Sequence, residues 1–242
     1  MKNKYVNFVK DNVFEECMKE TMETYKNSKD SLQSLNERNP AAILHHTKNT
    51  TDSFKALFDI YGLQLDLDNW KQYEISRAIS YGNRSLPVLF HLNLLTNVDG
   101  WDWYNSTNNS KQRRIIKNDE NTQFIDIRNF YNSSDIGTQK HIWRNFEEIL
   151  KKYPDAVCYR GYIISKNHDK NINQKFTLTD KEENDNIREI SGDVIYHMVT
   201  DEESALSNTF NAIRLYLKEN SQYKLTTKDE DILDSHQNSL FN

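Results

Sequence analysis

An aspartate and an arginine interrupt an apolar run near the middle of the chain. In the segment Gln123-Phe-Ile-Asp-Ile-Arg-Asn, Asp126 and Arg128 alternate with isoleucines. Such alternation predicts a β-strand that carries both charged side chains on one face, about 7 Å apart along the backbone. A carboxylate beside a cation on a rigid strand suits phosphodiester chemistry, because the carboxylate can bind a divalent metal and the cation can stabilise charge on the phosphate. A surface ion pair would produce the same pattern.

The segments on both sides of this strand carry polar and basic groups suited to contacting nucleic acid. The whole chain has 31 Lys and Arg against 36 Asp and Glu, a net charge of −5, so a nucleic-acid site must be a local basic patch on an acidic protein. A solvated hairpin would also explain the basic cluster. The predicted DNA-contacting residues are Arg113, Arg114 and Lys117 before the strand, and Asn129, Gln139 and Lys140 after it.

Hydrophobic spacing and breaker residues predict the elements that position these groups. Helices are predicted over 5–35, 54–61, 67–81 and 86–95, then over 142–153, 194–199 and 204–217, with strands over 114–117, 123–128 and 156–164. Either Asp68 or Asn69 is expected to cap the third helix, and the polar last twenty residues are expected to fray. The order predicts one α/β domain over 1–242, with a mainly helical part at 1–98, a sheet-bearing core at 99–200 and a polar tail at 220–242.

Several classes of protein are excluded by composition. With 6 Gly in 242 residues the chain has no Gly-rich phosphate loop. Cys17 and Cys158 cannot make a disulfide framework or a closed zinc site, which favours a reduced, cytoplasmic setting. The longest apolar stretch, Leu86–Leu95, is far short of the roughly 20 residues of a spanning helix. We therefore expect no membrane association, and the start of the chain does not resemble a signal peptide.

Several separated segments, taken in order, carry a further signal: Asn49–Asp59, Glu74–Arg77, Leu86–Leu95 with Gly100-Trp101, Phe124–Asn129, Ala156–Tyr159 and Ile187–Thr200. Together these segments resemble the type II restriction endonucleases of the PD-(D/E)XK superfamily, in particular the family that cuts GGNCC sites. The resemblance covers residues 49–217.

This resemblance implies a central mixed sheet flanked by helices and a Mg²⁺-dependent endonuclease for double-stranded DNA, working as a homodimer without a small-molecule cofactor. It implies that Asp126 is a catalytic metal ligand and that Glu74 is a supporting acid. Arg128 stands where the family has Lys, and these two side chains are not interchangeable. Where the family has Gly-x-Asp, this chain reads Gln112-Arg-Arg-Ile-Ile-Lys. Asp119 is then the expected second metal ligand, with Asp99 or Asp102 as alternatives.

Two other functions stay open at this stage. The departures around Arg128 fit a nuclease fold that has lost its chemistry and serves as a DNA-binding or partner subunit. Arg84 and His91 have the spacing of a HEPN-type ribonuclease toxin, although Pro87 between them disturbs the helical facing of such a pair. We expect His91 to be a partly buried helical histidine that finds a hydrogen-bond partner.

Overall fold

The computed structural model describes residues 3–38, 53–83, 85–104, 114–131, 134–166, 169–221 and 225–241. The chain divides into two compact units. One combines Met1–Met18 with Pro87–Asn242, and the other is Lys19–Leu86. This division does not test the expectation of a single domain over 1–242, which stays a prediction.

The N-terminal part is helical, as the hydrophobic spacing predicts. Its helices are α1 (Asp11–Arg38), α2 (Ser53–Gly62) and α3 (Leu67–Asn83). The first helix begins at Asp11 rather than at residue 5, because the Asp11 carboxylate accepts the backbone N–H groups of Lys4 and Tyr5 at 2.8 and 3.2 Å and holds the preceding residues in a loop. The start of α3 is held by Asp66, which accepts the Asn69 backbone N–H at 2.8 Å, so the predicted cap at Asp68 or Asn69 is wrong by two or three residues.

All six described strands belong to one mixed sheet in the unit that contains Pro87–Asn242. They are β1 (Trp101–Trp103), β2 (Ile115–Asn118), β3 (Gln123–Phe130), β4 (Val157–Ile164), β5 (Asn173–Lys175) and β6 (Ile187–Ser191), in the spatial order β1-β2-β3-β4-β6-β5. The pairs β1–β2, β2–β3 and β5–β6 are antiparallel, whereas β3–β4 and β4–β6 are parallel. The predicted α/β class with a mixed sheet is confirmed.

Helices cover both faces of this sheet. On one face, α4 (Leu86–Leu95), α6 (Gly192–Thr200), α7 (Ala205–Asn220) and the start of α1 pack on a buried layer that includes Ile125 and Ile127. On the other face, α5 (Ile136–Lys152) packs against Phe124, Cys158 and Ile187. Both cysteines are buried and neither forms a disulfide, and burial raises the pKa of the Cys158 thiol to about 12.

The C-terminal tail contains the helix α8 (Thr227–Phe241), so the expectation that the last twenty residues fray is wrong. A reciprocal cap starts this helix: Asp229 accepts the Thr226 backbone N–H at 2.9 Å, and Thr226 Oγ1 accepts the Asp229 backbone N–H at 3.2 Å. Arg214 of α7 forms an ion pair with Glu230 at 2.6 Å. Among the described residues, no helix is both long and apolar enough to cross a membrane.

Candidate active site on the central sheet

Asp126 and Arg128 lie side by side on β3, a central strand with partners on both sides. The Arg128 guanidinium contacts both carboxylate oxygens of Asp126: Nε donates to Oδ1, and Nη2 donates to Oδ2 at 3.0 Å. The pair is nearly buried, with 4% of the Asp126 side chain and 13% of the Arg128 side chain exposed. The alternation in the sequence therefore predicts their placement correctly, and the pair reaches solvent chiefly through Arg128.

Asp126 belongs to a line of polar residues that crosses four strands. It is the register partner of Arg160 on β4, which pairs with Glu189 on β6, which pairs with Gln174 on β5. We call these four residues the polar row. The Gln174 amide donates to Glu189 at 2.6 Å, and Tyr162 Oη donates to the other Glu189 oxygen at 3.3 Å. Burial raises the pKa of Tyr162, so its hydroxyl stays a proton donor at neutral pH.

Sequence reasoning missed Arg160, Glu189 and Gln174. Neither β5 nor β6 is strong in β-branched and aromatic residues, and their pairing brings together positions far apart in the chain. The only available signal is the charge of Arg160 within the apolar strand Val157–Ile164, which parallels the charge of Asp126 within β3.

The helix α5 lies on the same face as the polar row, over the apolar residues two positions earlier on β3, β4 and β6. Asp135 caps it by accepting the Thr138 backbone N–H at 2.7 Å. Two predicted DNA contacts lie in its first turns. Gln139 donates to the Ser134 carbonyl at 3.0 Å, and Lys140 forms an ion pair with Asp180 at 2.7 Å.

The remaining predicted DNA contacts are distributed over both sheet faces. Lys117 pairs with Phe124 on the polar-row face at the hairpin end of β2, and Arg114 directly precedes β2. Asn129 is one residue beyond Arg128 and therefore lies on the opposite face, where it lines a cavity of about 280 Å³. Arg113 lies outside the described residues.

The structure does not bring Asp119 beside Asp126. Asp119 is exposed in the turn between β2 and β3, with its backbone N–H bonded to the Gly100 carbonyl at 2.9 Å. Asp126 pairs with Ile115, at the far end of β2, so about 10 Å of strand separates the two carboxylates. The role of Asp119 as a metal ligand stays a prediction.

The described residues do not fit a complete Mg²⁺ site. They contain no group of three or more His, Cys, Asp or Glu side chains that could hold a metal ion. The Asp126 carboxylate is already hydrogen-bonded to Arg128. Glu189 lies two strands away from Asp126, with Arg160 between the two acids. Mg²⁺ requires several hard oxygen ligands in near-octahedral geometry, whereas the two carboxylates of the polar row are separated by the Arg160 guanidinium.

Glu74 lies on α3, in the compact unit Lys19–Leu86. Its carboxylate is fully buried and forms an ion pair with Arg77, one turn further along the helix, at 2.8 Å. The pairing raises the pKa of Arg77. The supporting catalytic role of Glu74 stays a prediction.

His91 behaves as a structural histidine. Its Nδ1 is hydrogen-bonded to Tyr196 Oη at 2.6 Å, which confirms the prediction of a partnered helical histidine. Burial lowers the His91 pKa to about 4, so the imidazole is neutral at physiological pH. Arg84, its partner in the ribonuclease hypothesis, lies outside the described residues, and Pro87 sits in the first turn of α4.

Comparison with known proteins identifies a family that the chain matches. The family model described as the Eco47II restriction endonuclease matches residues 6–220, which include Glu74 and the whole sheet. The chain is 26% identical over 217 residues to the type II restriction enzyme Sau96I of Staphylococcus aureus, covering 85% of this chain and 77% of that protein. It is 25% identical over 201 residues to the type II restriction enzyme Eco47II of Escherichia coli, covering 75% of this chain and 78% of that protein.

Proposed function

Because the chain belongs to the Eco47II restriction endonuclease family, we propose that it hydrolyses phosphodiester bonds of double-stranded DNA at a specific sequence. The observation that carries the proposal is the placement of Asp126 and Arg128. They lie next to each other on a central strand of the sheet, within the residues that match the family.

The chemistry of this pair suits the reaction. Hydrolysis transfers a water oxygen to phosphorus and expels the sugar oxygen, while negative charge builds up on the phosphoryl oxygens. Arg128 is the more exposed member of the pair and can donate hydrogen bonds to those oxygens. The Asp126 carboxylate keeps the guanidinium oriented, and in the proposal it becomes available to a water molecule when Arg128 engages the phosphate.

We also propose that cleavage requires a divalent metal ion, with Mg²⁺ as the first candidate, because the family resemblance implies one. The described carboxylates offer an incomplete ligand set, so we assign no step to the metal. The metal requirement is tested by measuring whether cleavage depends on added divalent ions.

The proposed substrate geometry is two-fold. Restriction sites of the GGNCC type are symmetric, and a symmetric site is matched most simply by a homodimer. Sedimentation of the protein on a duplex that contains GGNCC should show two chains of 28.7 kDa for each duplex. A single chain for each duplex would contradict the dimer.

Plasmid cleavage tests the function. Purified protein with Mg²⁺ or Mn²⁺ should cut plasmid DNA into discrete fragments, and Asp126→Ala should not. Glu120→Gln is the matched control, because Glu120 is an exposed acid in the turn before β3. If the wild-type protein never cuts DNA and Asp126→Ala behaves identically, the catalytic proposal is wrong.

A second candidate is favoured by the ion pair itself. Arg128 engages both oxygens of the Asp126 carboxylate, and the resemblance implies that it stands where the family has Lys, which would suit a protein that binds DNA without cutting it. Salt-sensitive DNA binding without cleavage under any metal condition would support this candidate.

A further inference from the structure

Arg160 is a buried cation whose hydrogen-bonding capacity is largely unused. The residue is 3% exposed and lies in the middle of β4. Among the described residues, its buried Nε and Nη2 atoms have no hydrogen-bond partner. An arginine is always charged in proteins, and a buried charge without partners is costly. A donor pair left in this state therefore needs an explanation.

Both neighbouring carboxylates are already engaged by other groups. Asp126, the register partner on β3, accepts hydrogen bonds from Arg128. Glu189, the partner on β6, accepts from Gln174 and Tyr162. Arg160 is therefore flanked by acids that do not hydrogen-bond to it, and its Nε and Nη2 donors are unused.

Aromatic rings hold the Arg160 side chain in place. The guanidinium carbon lies 4.6 Å from the centre of the Phe176 ring and 4.9 Å from the centre of the Tyr162 ring. Such contacts stabilise a cation and restrict its rotamers without using its N–H donors. The side chain is thus ordered in the unliganded protein, which lowers the entropy cost of binding an anion.

From this arrangement we infer that Arg160 binds a phosphate oxygen of the DNA backbone at the cleavage site, together with Arg128. A guanidinium presents paired donors that match phosphate geometry. The inference rests on the proposed function, since it places the scissile phosphate against the polar row. It adds a phosphate-binding residue that lies on β4, outside the acid-x-base strand.

Substitution by methionine separates this role from a structural one. Arg160→Met keeps an unbranched side chain against the rings but removes the charge. Because the lost charge has no described hydrogen-bond partner, Arg160→Met should melt at the wild-type temperature or higher. Binding of a duplex in EDTA, followed by fluorescence anisotropy, should show a log K against log salt slope that is smaller by about 1. Cleavage should fall about 100-fold, and Arg160→Lys should recover part of both losses.

Arg188→Met is the matched control. Arg188 lies one strand away on β6 and points to the opposite sheet face, where its guanidinium is bonded to Asn173. This variant should keep the wild-type salt slope and cleavage rate.

Three outcomes would overturn the inference about Arg160. They are an unchanged salt slope in Arg160→Met, a lowered melting temperature or loss of folding in that variant, and an equal loss in Arg188→Met. If the wild-type protein binds DNA without cutting it, the proposed cleavage fails, while the slope and melting comparisons still decide the role of Arg160. If the wild-type protein binds no DNA, both are wrong.

Discussion

Asp126 and Arg160 are register partners on adjacent parallel strands, yet their side chains do not hydrogen-bond to each other. The Asp126 carboxylate turns along its own strand to Arg128, two residues further on. Asp126 therefore has two guanidinium groups beside it, and of these two it is Arg128 that hydrogen-bonds to it. This relationship makes the exchange of partners at Asp126 the central experimental question.

Replacing Arg128 tests that exchange. Lys has a compact ammonium that holds one carboxylate oxygen, so Arg128→Lys should free the other oxygen and raise the rate of plasmid cleavage several-fold. Arg128→Met should lower the rate by about 100-fold, because no cation then faces the phosphate. Initial rates at saturating DNA provide the measurement. A lysine variant slower than the wild type would show that the guanidinium itself is required.

Removal of divalent ions should stop cleavage. Phosphodiester hydrolysis in this family is expected to need a metal, so excess EDTA should abolish cleavage and added Mg²⁺ should restore it. DNA binding in EDTA should persist, since the basic side chains remain. Undiminished cleavage in EDTA would contradict the predicted metal.

Lys140 at the start of α5 should contribute one phosphate contact. Lys140→Ala should reduce the slope of log K against log salt by about 1 for any duplex sequence. Lys175→Ala is the control, because the Lys175 side chain is exposed to the same degree as that of Lys140, 44% against 43%, and is likewise paired with acids, Glu183 at 3.2 Å and Asp185 at 2.7 Å. Equal slopes for Lys140→Ala and the wild type would remove Lys140 from the DNA interface.

Acid should destabilise the protein through His91. Burial lowers its pKa from 6.5 to about 4, so the unfolded chain binds the proton more readily. Above pH 6.5 the neutral His91 imidazole makes its full contribution to the free energy of unfolding. About 3 kcal/mol of that free energy is lost as the pH falls toward 4. Urea unfolding at pH 7, 5.5 and 4.5 should show this loss in the wild type and less of it in His91→Gln. Parallel pH profiles for the two proteins would refute the assignment.

Two glycines permit the close contact between the sheet and α6. A Cβ on Gly192 would lie 2.3 Å from the Ile163 carbonyl oxygen, and a Cβ on Gly161 would lie 2.5 Å from Ile195 Cδ1. Because backbone yields less than a side-chain end, Gly192→Ala should lower the free energy of unfolding by about 3 kcal/mol and Gly161→Ala by about 2.

Gly137→Ala is the control for these two variants. Its Cβ would meet only Asp135 Oδ1, at 3.5 Å, in the first turn of α5. It should be neutral or stabilising by up to about 1 kcal/mol, because alanine has the higher helix propensity. A loss in Gly137→Ala that equals the loss in Gly192→Ala would contradict the steric argument.

The strongest local patterns predict the elements correctly. The alternation around Asp126, the β-branched run of Val157–Ile164 and the helical spacing of Leu86–Leu95 all match observed elements. The resemblance to type II restriction endonucleases is confirmed by the family match. The predictions that fail concern the ends of helices, the C-terminal tail and an edge strand of the sheet. The cap at Asp66 depends on one local hydrogen bond, and α8 is held by a reciprocal cap and by the ion pair between Arg214 and Glu230. The strand β5 is a short exposed edge strand without hydrophobic alternation.

The sequence by itself determined the class of fold and the pairing of Asp126 with Arg128, because residues two apart on one strand share a face whatever the strand packs against. Tertiary structure alone decided which other groups join them. Arg160 and Glu189 become neighbours of Asp126 only through the parallel register of β3, β4 and β6. Tertiary structure also separates Asp119 from Asp126. The residues from Asp119 to Asp126 lead from the turn along β3, so the two carboxylates lie at opposite ends of the β2–β3 pairing. Pairing between distant strands has no local signal, and here it sets the charge around Asp126.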